Sequence, residues 1–154
     1  MITTKGRYAL RVMIDLMEHS GEKYVPLKEI AQRQMISKKY LEIIVKDLVK
    51  GKMVVGASGK GGGYRLARKP EDYSVGEILE LMEGTLAAVA CLENGAVKCP
   101  RADMCETLPL WKEYNQLTHD FLYGKKLSGL IVKSGETGEQ SCPEDERTKG
   151  CALP

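Results

Sequence analysis

Hydrophobic positions in the first third of the chain fall on three helical stripes. Between Thr4 and His19, Ala9, Val12, Met13, Leu16 and Met17 recur at the three- and four-residue steps of one helix face, and Gly21 stops the run. Residues 27–34 read as a short helix entered at Pro26, whose fixed φ suits a first turn. Ser37 is a natural N-cap for a third helix, in which Leu41, Ile44, Val45 and Leu48 form the buried stripe and Gly51 marks the end. Only Met35, Ile36 and the cap separate the second helix from the third. Helix, tight turn, helix is the outline of a helix-turn-helix unit.

The period then shortens. Two β-prone runs, 53–57 and 64–67, flank Ser58-Gly59-Lys60-Gly61-Gly62-Gly63, which predicts a hairpin with a glycine-rich, cationic tip. Ser74-Val75-Gly76-Glu77 is a capping box that opens a helix to about Glu83. Residues 84–105 show no period and hold three cysteines. Leu110, Tyr114, Leu117 and Phe121 restore helical spacing, with Trp111 and Leu122 beside them. Gly124 closes that helix, and 127–132 add one short apolar turn. Beyond Lys133 the chain is polar and poor in large apolar residues, so a disordered tail is expected. No internal repeat is evident.

The predicted architecture is mainly α with a small β-hairpin wing, a winged helix-turn-helix plus a long dimerisation helix. It divides into a winged unit over 1–84, a cysteine loop over 85–106, the long helix and its following turn over 107–132, and a tail over 133–154. The stripe of Leu110, Tyr114, Leu117 and Phe121 lies on a helix too long for so small a domain to cover, and a symmetric dimer is the default partner for such a stripe.

Composition narrows the function. A chain of 154 residues with 43% hydrophobic and 29% charged residues suits one ordinary soluble domain, not a disordered chain or a large multidomain enzyme. No stretch approaches the roughly 18 apolar residues of a membrane helix, and MITTKGRYAL lacks a signal peptide's apolar centre, so the cytoplasm is expected and no membrane contact. Five cysteines in that compartment point to metal, redox or catalytic use before disulfides. The net charge of +2 conceals an asymmetry: residues 1–69 carry fifteen Lys and Arg against six Asp and Glu, while 70–154 carry eight against fifteen. The basic half points to a polyanion partner.

Charge also selects a face of the third helix. Lys38, Lys39 and Lys46 can neutralise phosphates, while Glu42 and Ile43 can meet a cytosine amine and a thymine methyl in the major groove. Tyr40 sits in the first turn, where recognition helices usually make contacts. Ser58 precedes the glycine run, and Lys60 on that loop can reach the minor groove or the backbone beside it. The competing reading is a surface helix with scattered lysines; the wing and the basic half favour a double-stranded, pseudo-palindromic DNA operator bound by a dimer. No enzyme is expected. The glycine loop GKGGGY is not a phosphate cradle, and His19 and His119 lie on predicted helices with no evident acid/base partner.

Cys91, Cys99 and Cys105 lie within CLENGAVKCPRADMC, a loop long enough to turn three thiolates toward one point, as an iron–sulfur cluster requires. Thr107 as N-cap would place Cys105 just before a helix N-terminus, where the dipole favours a thiolate. Three free buried cysteines, or zinc, are the alternatives; zinc lacks its paired C-x2-C hooks and a nearby fourth ligand here.

Taken together, KGRYAL, Val25-Pro26-Leu27 with Ile30-Ala31, Tyr40-Leu41-Glu42, the GGGY wing, Ser74-Val75-Gly76-Glu77 and the three loop cysteines resemble the IscR-type iron–sulfur cluster regulators, over about residues 2–132. The resemblance implies a homodimeric winged-helix transcription factor whose helix over about 108–123 packs against its twin. It also implies a labile cluster held by Cys91, Cys99 and Cys105, 2Fe–2S before 4Fe–4S, and control of cluster-assembly genes. The chain departs from the pattern at Leu108, where a histidine is usual. It departs again at Tyr8, where the related nitric-oxide-sensing type has aspartate, in the longer first cysteine spacing, and at Ser58, where an arginine often reads the minor groove. The fourth ligand is left unassigned. Cys142 and Cys151 read as free surface thiols, and the terminal Cys151-Ala-Leu-Pro as no prenylation signal. Two other readings remain: a CymR-type regulator, which has this fold, no cluster and a protein partner, and a sensor whose three loop thiols are themselves oxidised.

Overall fold

Burial in the computed structural model, which describes residues 2–131 apart from Glu22 and Lys98, follows the predicted stripes. Helix α1 (Thr4–His19) is capped by Thr3, whose hydroxyl accepts from the N–H groups of Lys5 and Gly6. Ala9, Val12, Met13 and Leu16 on its inner face are fully buried against Ile30 of α2 (Leu27–Gln34) and Leu41, Ile44, Val45 and Leu48 of α3 (Lys38–Lys50). Pro26 stands at the N-cap of α2 rather than inside its first turn, and its carbonyl accepts from Glu29 and Ile30. The turn into α3 runs through Met35, a non-glycine residue in the left-handed region at φ 53°, with Ile36 buried beneath it. Ser37 caps α3 by accepting from the N–H of Tyr40.

A buried carboxylate fixes this unit. Asp15 of α1 is wholly inaccessible, yet three donors reach it: Arg33 Nη2 at 2.7 Å, Arg33 Nε at 3.0 Å and Gln34 Nε2 at 2.9 Å. Arg11 Nε in turn donates to the Gln34 side-chain oxygen at 3.0 Å. The hydrogen bond to Asp15 also holds the Arg33 guanidinium above its ordinary pKa. Both α2 donors sit on its last two residues, immediately before the left-handed turn, so the carboxylate sets where α3 begins.

Strands β1 (Val54–Ala57) and β2 (Gly63–Leu66) pair antiparallel, with Val54 opposite Leu66 and Gly56 opposite Tyr64. Each begins one residue from the expected start. The hairpin is pinned at its side by Val25, which exchanges both backbone hydrogen bonds with Tyr64, at 2.8 and 2.9 Å. Its base is held by the fully buried Tyr73: the hydroxyl donates to the Met53 carbonyl at 2.7 Å and accepts from the Arg68 N–H at 2.8 Å.

Helix α4 (Val75–Glu83) opens with the expected capping box, the Ser74 hydroxyl accepting from Glu77 N–H while the Glu77 carboxylate accepts from Ser74 N–H. A Cβ on Gly76 would lie 2.3 Å from the Tyr123 ring, so this glycine lets α5 (Leu108–Gly124) pack flat on α4. Gly51 ends α3 as expected, but with φ at −77°; the left-handed residue is Lys52, and Gly51 serves instead to admit Leu81 of α4, 2.3 Å from where a Cβ would stand. Between α4 and α5 the chain is irregular, apart from short 3-10 turns at Ala90–Leu92 and Ala102–Met104. After α5 the turn Leu127–Leu130 buries Leu127, and its chain is tied to α4 by Val75 N–H to the Lys125 carbonyl and Leu127 N–H to the Tyr73 carbonyl. No helix among the described residues is long and apolar enough to cross a membrane. The expected disordered tail, with Cys142 and Cys151, lies outside the described residues.

Replacing Arg33 by alanine leaves the Asp15 charge buried with one side-chain donor of three. The expected cost is about 3 kcal/mol in urea unfolding, with Arg33→Lys losing less; a change near zero would show that Asp15 is neutral or solvated.

Candidate functional site

The exposed face of α3 and the hairpin enclose a groove of about 670 Å³. Lys38, Glu42 and Lys46 line it from α3 and Ser58 from the hairpin, so four of the candidate contact residues share one surface. Spacing explains this. Positions 38, 42 and 46 follow at one-turn steps, on the side of α3 away from Leu41, Ile44 and Leu48. Glu42 pairs with Lys38 at 3.9 Å with both side chains more than half exposed, a weak contact that leaves the carboxylate available. Lys39 and Ile43 are exposed on α3 but do not line the groove. Lys60 stands exposed at the tip between Gly59 and Gly61, both left-handed at φ 93° and 79°. Tyr40 is half-buried, packing on the core and edge-on to the Tyr8 ring at 5.9 Å between centroids. Lys28, at the start of α2, lines the same groove and was missed; its signal was a lysine two residues past the proline that opens the helix. Asp47 of α3 is engaged elsewhere, by Lys5 of α1 at 2.6 Å.

The three loop cysteines come together. Cys91, Cys99 and Cys105, all free thiols, line one cavity of about 230 Å³ with Leu92, Ala102, Leu108 and Lys112. Among the described residues, no three His, Cys, Asp or Glu side chains are drawn closely enough to hold a metal ion. Thr107 does occupy the N-cap position of α5, but its side chain makes no cap hydrogen bond; its hydroxyl lies 3.5 Å from Cys105 Sγ instead. That hydroxyl, the N–H groups of Thr107 and Leu108, and the nearby Arg101 hold the Cys105 thiol below its ordinary pKa.

Helix α5 presents two faces. Leu122 is buried against Val75 and Leu79 of α4, while Leu110, Tyr114, Leu117 and Phe121 are each more than half exposed. The cysteine loop is fastened to α5 by Asn115, whose Oδ1 accepts from Ala88 N–H at 3.1 Å. Tyr123 donates to Glu80 of α4, and burial together with that carboxylate pushes its pKa up to about 12. Both histidines, for which the sequence offers no evident acid/base partner, have an acidic residue near in the helix. His19 Nδ1 lies 2.8 Å from the Asp15 carbonyl and 3.9 Å from its carboxylate, and His119 Nδ1 lies 3.4 Å from Asp120. Both pairs are one helical turn or less apart, a closeness that the sequence spacing itself carried.

A helix-turn-helix and a hairpin framing a lysine-lined groove define a winged-helix regulator. The chain belongs to the Rrf2 family of iron-dependent transcriptional regulators, which matches residues 2–133. It is 41% identical over 141 residues to protein rrf2 of Nitratidesulfovibrio vulgaris, covering 92% of this chain and 93% of that protein. It is 37% identical over 131 residues to the HTH-type transcriptional regulator IscR of Aliivibrio salmonicida, covering 85% and 77%. Among solved structures, IscR of T. potens superposes with a TM-score of 0.69 at 32% identity over 92% of this chain and 93% of that one. CymR, the global cysteine regulator of B. subtilis, superposes equally at 0.69 and 32%, over 84% and 95%. The Aliivibrio relative is named as a regulator of transcription, and the fold is the winged helix that the stripes predicted.

Proposed function

We propose that this protein is a cytoplasmic homodimer that binds a pseudo-palindromic operator and reports iron–sulfur cluster status to the genes of cluster biogenesis. The observation that carries the reading is the convergence of Cys91, Cys99 and Cys105 on one cavity at the start of α5. The donor set fits the group. Three thiols are the ligand type such clusters take, and about 230 Å³ is several times the roughly 30 Å³ of a water molecule. Family membership among iron-dependent regulators agrees. Cys91, Cys99 and Cys105 would hold the cluster, 2Fe–2S before 4Fe–4S, which supplies a redox- and iron-labile centre when bound. Thr107 and Arg101 favour the thiolate at Cys105. The exposed stripe of Leu110, Tyr114, Leu117 and Phe121 would pack against its twin and set two α3 helices on successive major grooves.

A second reading draws on the equal likeness to CymR and on cysteines not gathered at ligating distance. In it the protein is a cluster-free regulator answering to thiol oxidation or a partner protein. Anaerobic reconstitution, followed by iron and acid-labile sulfide assay and an absorption spectrum, separates the two. Near-stoichiometric iron and sulfide with a visible chromophore is expected, lost on replacing Cys91, Cys99 or Cys105 singly by alanine and kept on replacing Cys142 or Cys151. A colourless, iron-free protein would overturn the cluster reading.

On DNA, Lys28, Lys38, Lys39, Lys46 and Lys60 would neutralise phosphates, with Tyr40 and Ser58 at the margins of the contact. Ile43 and Glu42 would meet base edges. A carboxylate facing the groove gains a hydrogen bond from a cytosine amine and meets another acceptor at guanine or thymine, so it acts mainly by exclusion. Glu42→Ala is expected to strengthen binding to operators lacking that cytosine by about 1–3 kcal/mol and narrow the gap between operator classes in competition binding at fixed salt. An equal change on every operator would reduce Glu42 to a charge that reads nothing.

A further inference from the structure

The cavity that gathers the three cysteines belongs to the acidic half of the chain, where Asp and Glu outnumber Lys and Arg fifteen to eight. Its wall runs against that trend. Among the described residues no carboxylate lines it: besides the three cysteines the lining is Leu92, Ala102, Leu108 and Lys112. Lys112 stands one helical turn beyond Leu108, on the side of α5 that faces the loop, and among the described residues no carboxylate forms an ion pair with it. The residue is exposed while lining the cavity, so its long side chain can hold its ammonium in water at the rim.

We infer that Lys112 makes the cysteine cavity selective for anionic occupants, acting as a positioning residue that offsets the negative charge a thiolate-ligated group brings in. The inference rests on the reading of this cavity as the cluster's seat. Cysteine ligands are thiolates, so a cluster held by them accumulates negative charge, and a nearby ammonium lowers the cost of placing it there. The apolar remainder of the wall, Leu92, Ala102 and Leu108, supplies no competing charge. Two unit charges about 6 Å apart in water interact by an amount equal to about threefold in a rate or equilibrium. An effect of that size is expected at low salt, and it fades as salt screens the rim.

The test uses the full chain without a cluster. Alkylation of Cys91, Cys99 and Cys105 is followed by mass spectrometry with iodoacetate, which is anionic, and with iodoacetamide, which is neutral, and glutathione in the same tube fixes the intrinsic ratio of the two reagents. Both reagents consume the same thiolate, so their ratio reads the field at the cavity rather than the ionisation of the thiol. Lys112→Gln is expected to lower the iodoacetate-to-iodoacetamide ratio about threefold at low salt. Lys112→Arg should keep it, and the difference between the wild type and Lys112→Gln should disappear at 1 M salt. An unchanged ratio in Lys112→Gln would overturn the inference, and so would a fall found only in Arg101→Gln, which would assign the field to the loop. Iron and sulfide measured on the reconstituted wild type report separately on whether a cluster binds, so failure of that reading and failure of this one are told apart.

Discussion

A carboxylate sealed from water stands where α1 meets the end of α2, and the geometry of the recognition unit follows from it. Asp15 cannot be left without partners, because an unpaired buried charge costs several kcal/mol. Arg33 and Gln34 meet that demand from the last turn of α2, and Arg11 holds Gln34 from the other side. With those residues fixed, the left-handed turn at Met35 and the Ser37 cap launch α3 in one direction. The lysines and Glu42 of α3 then face the hairpin across a shared groove. An apolar contact at the same place would hold the helices together but leave their rotation less constrained, since hydrophobic burial is not directional.

The same frame joins the groove to the cysteine cavity through covalently short steps. The cysteine loop is tied to α5 at Ala88 and Asn115, α5 lies on α4 through Gly76 and Tyr123, and α4 begins two residues after Tyr73, whose hydroxyl holds both strands at the base of the hairpin. Lys125 and Leu127, just past α5, bond directly to the backbone of Val75 and Tyr73. A change in how the loop is ordered therefore has a packed route to the wing.

Much of this was legible in the chain. Regular spacing gave the inner face of α1 through Val12, Met13 and Leu16, and Ser74 with Glu77 announced the start of α4, because these signals are local. Features made by distant residues were not legible. Asp15 sits in the arc of a buried stripe, yet its partners lie eighteen and nineteen residues away. Gly51 looked like a helix stop, and only the approach of Leu81 shows why a side chain cannot stand there. Thr107 was expected to cap α5 and turns to the Cys105 sulfur instead, a choice between two nearby partners that spacing leaves undetermined. The cysteines were visible by type, but their meeting with Lys112 depends on how an aperiodic loop folds onto α5. The contribution of Lys28 to the groove likewise waits on the placement of the hairpin.

Coupling between the cysteine cavity and the groove is the central claim, and operator affinity measured on one preparation before and after cluster loading tests it most directly. Fluorescence anisotropy at fixed salt, across operators differing at single base pairs, supplies the two binding curves. Coupling through α5 and α4 predicts that the loaded and unloaded forms differ by about fivefold or more on at least one operator class. Identical affinities for both forms on every operator would contradict it, leaving a cysteine cavity and a lysine-lined groove that share a chain but not an equilibrium.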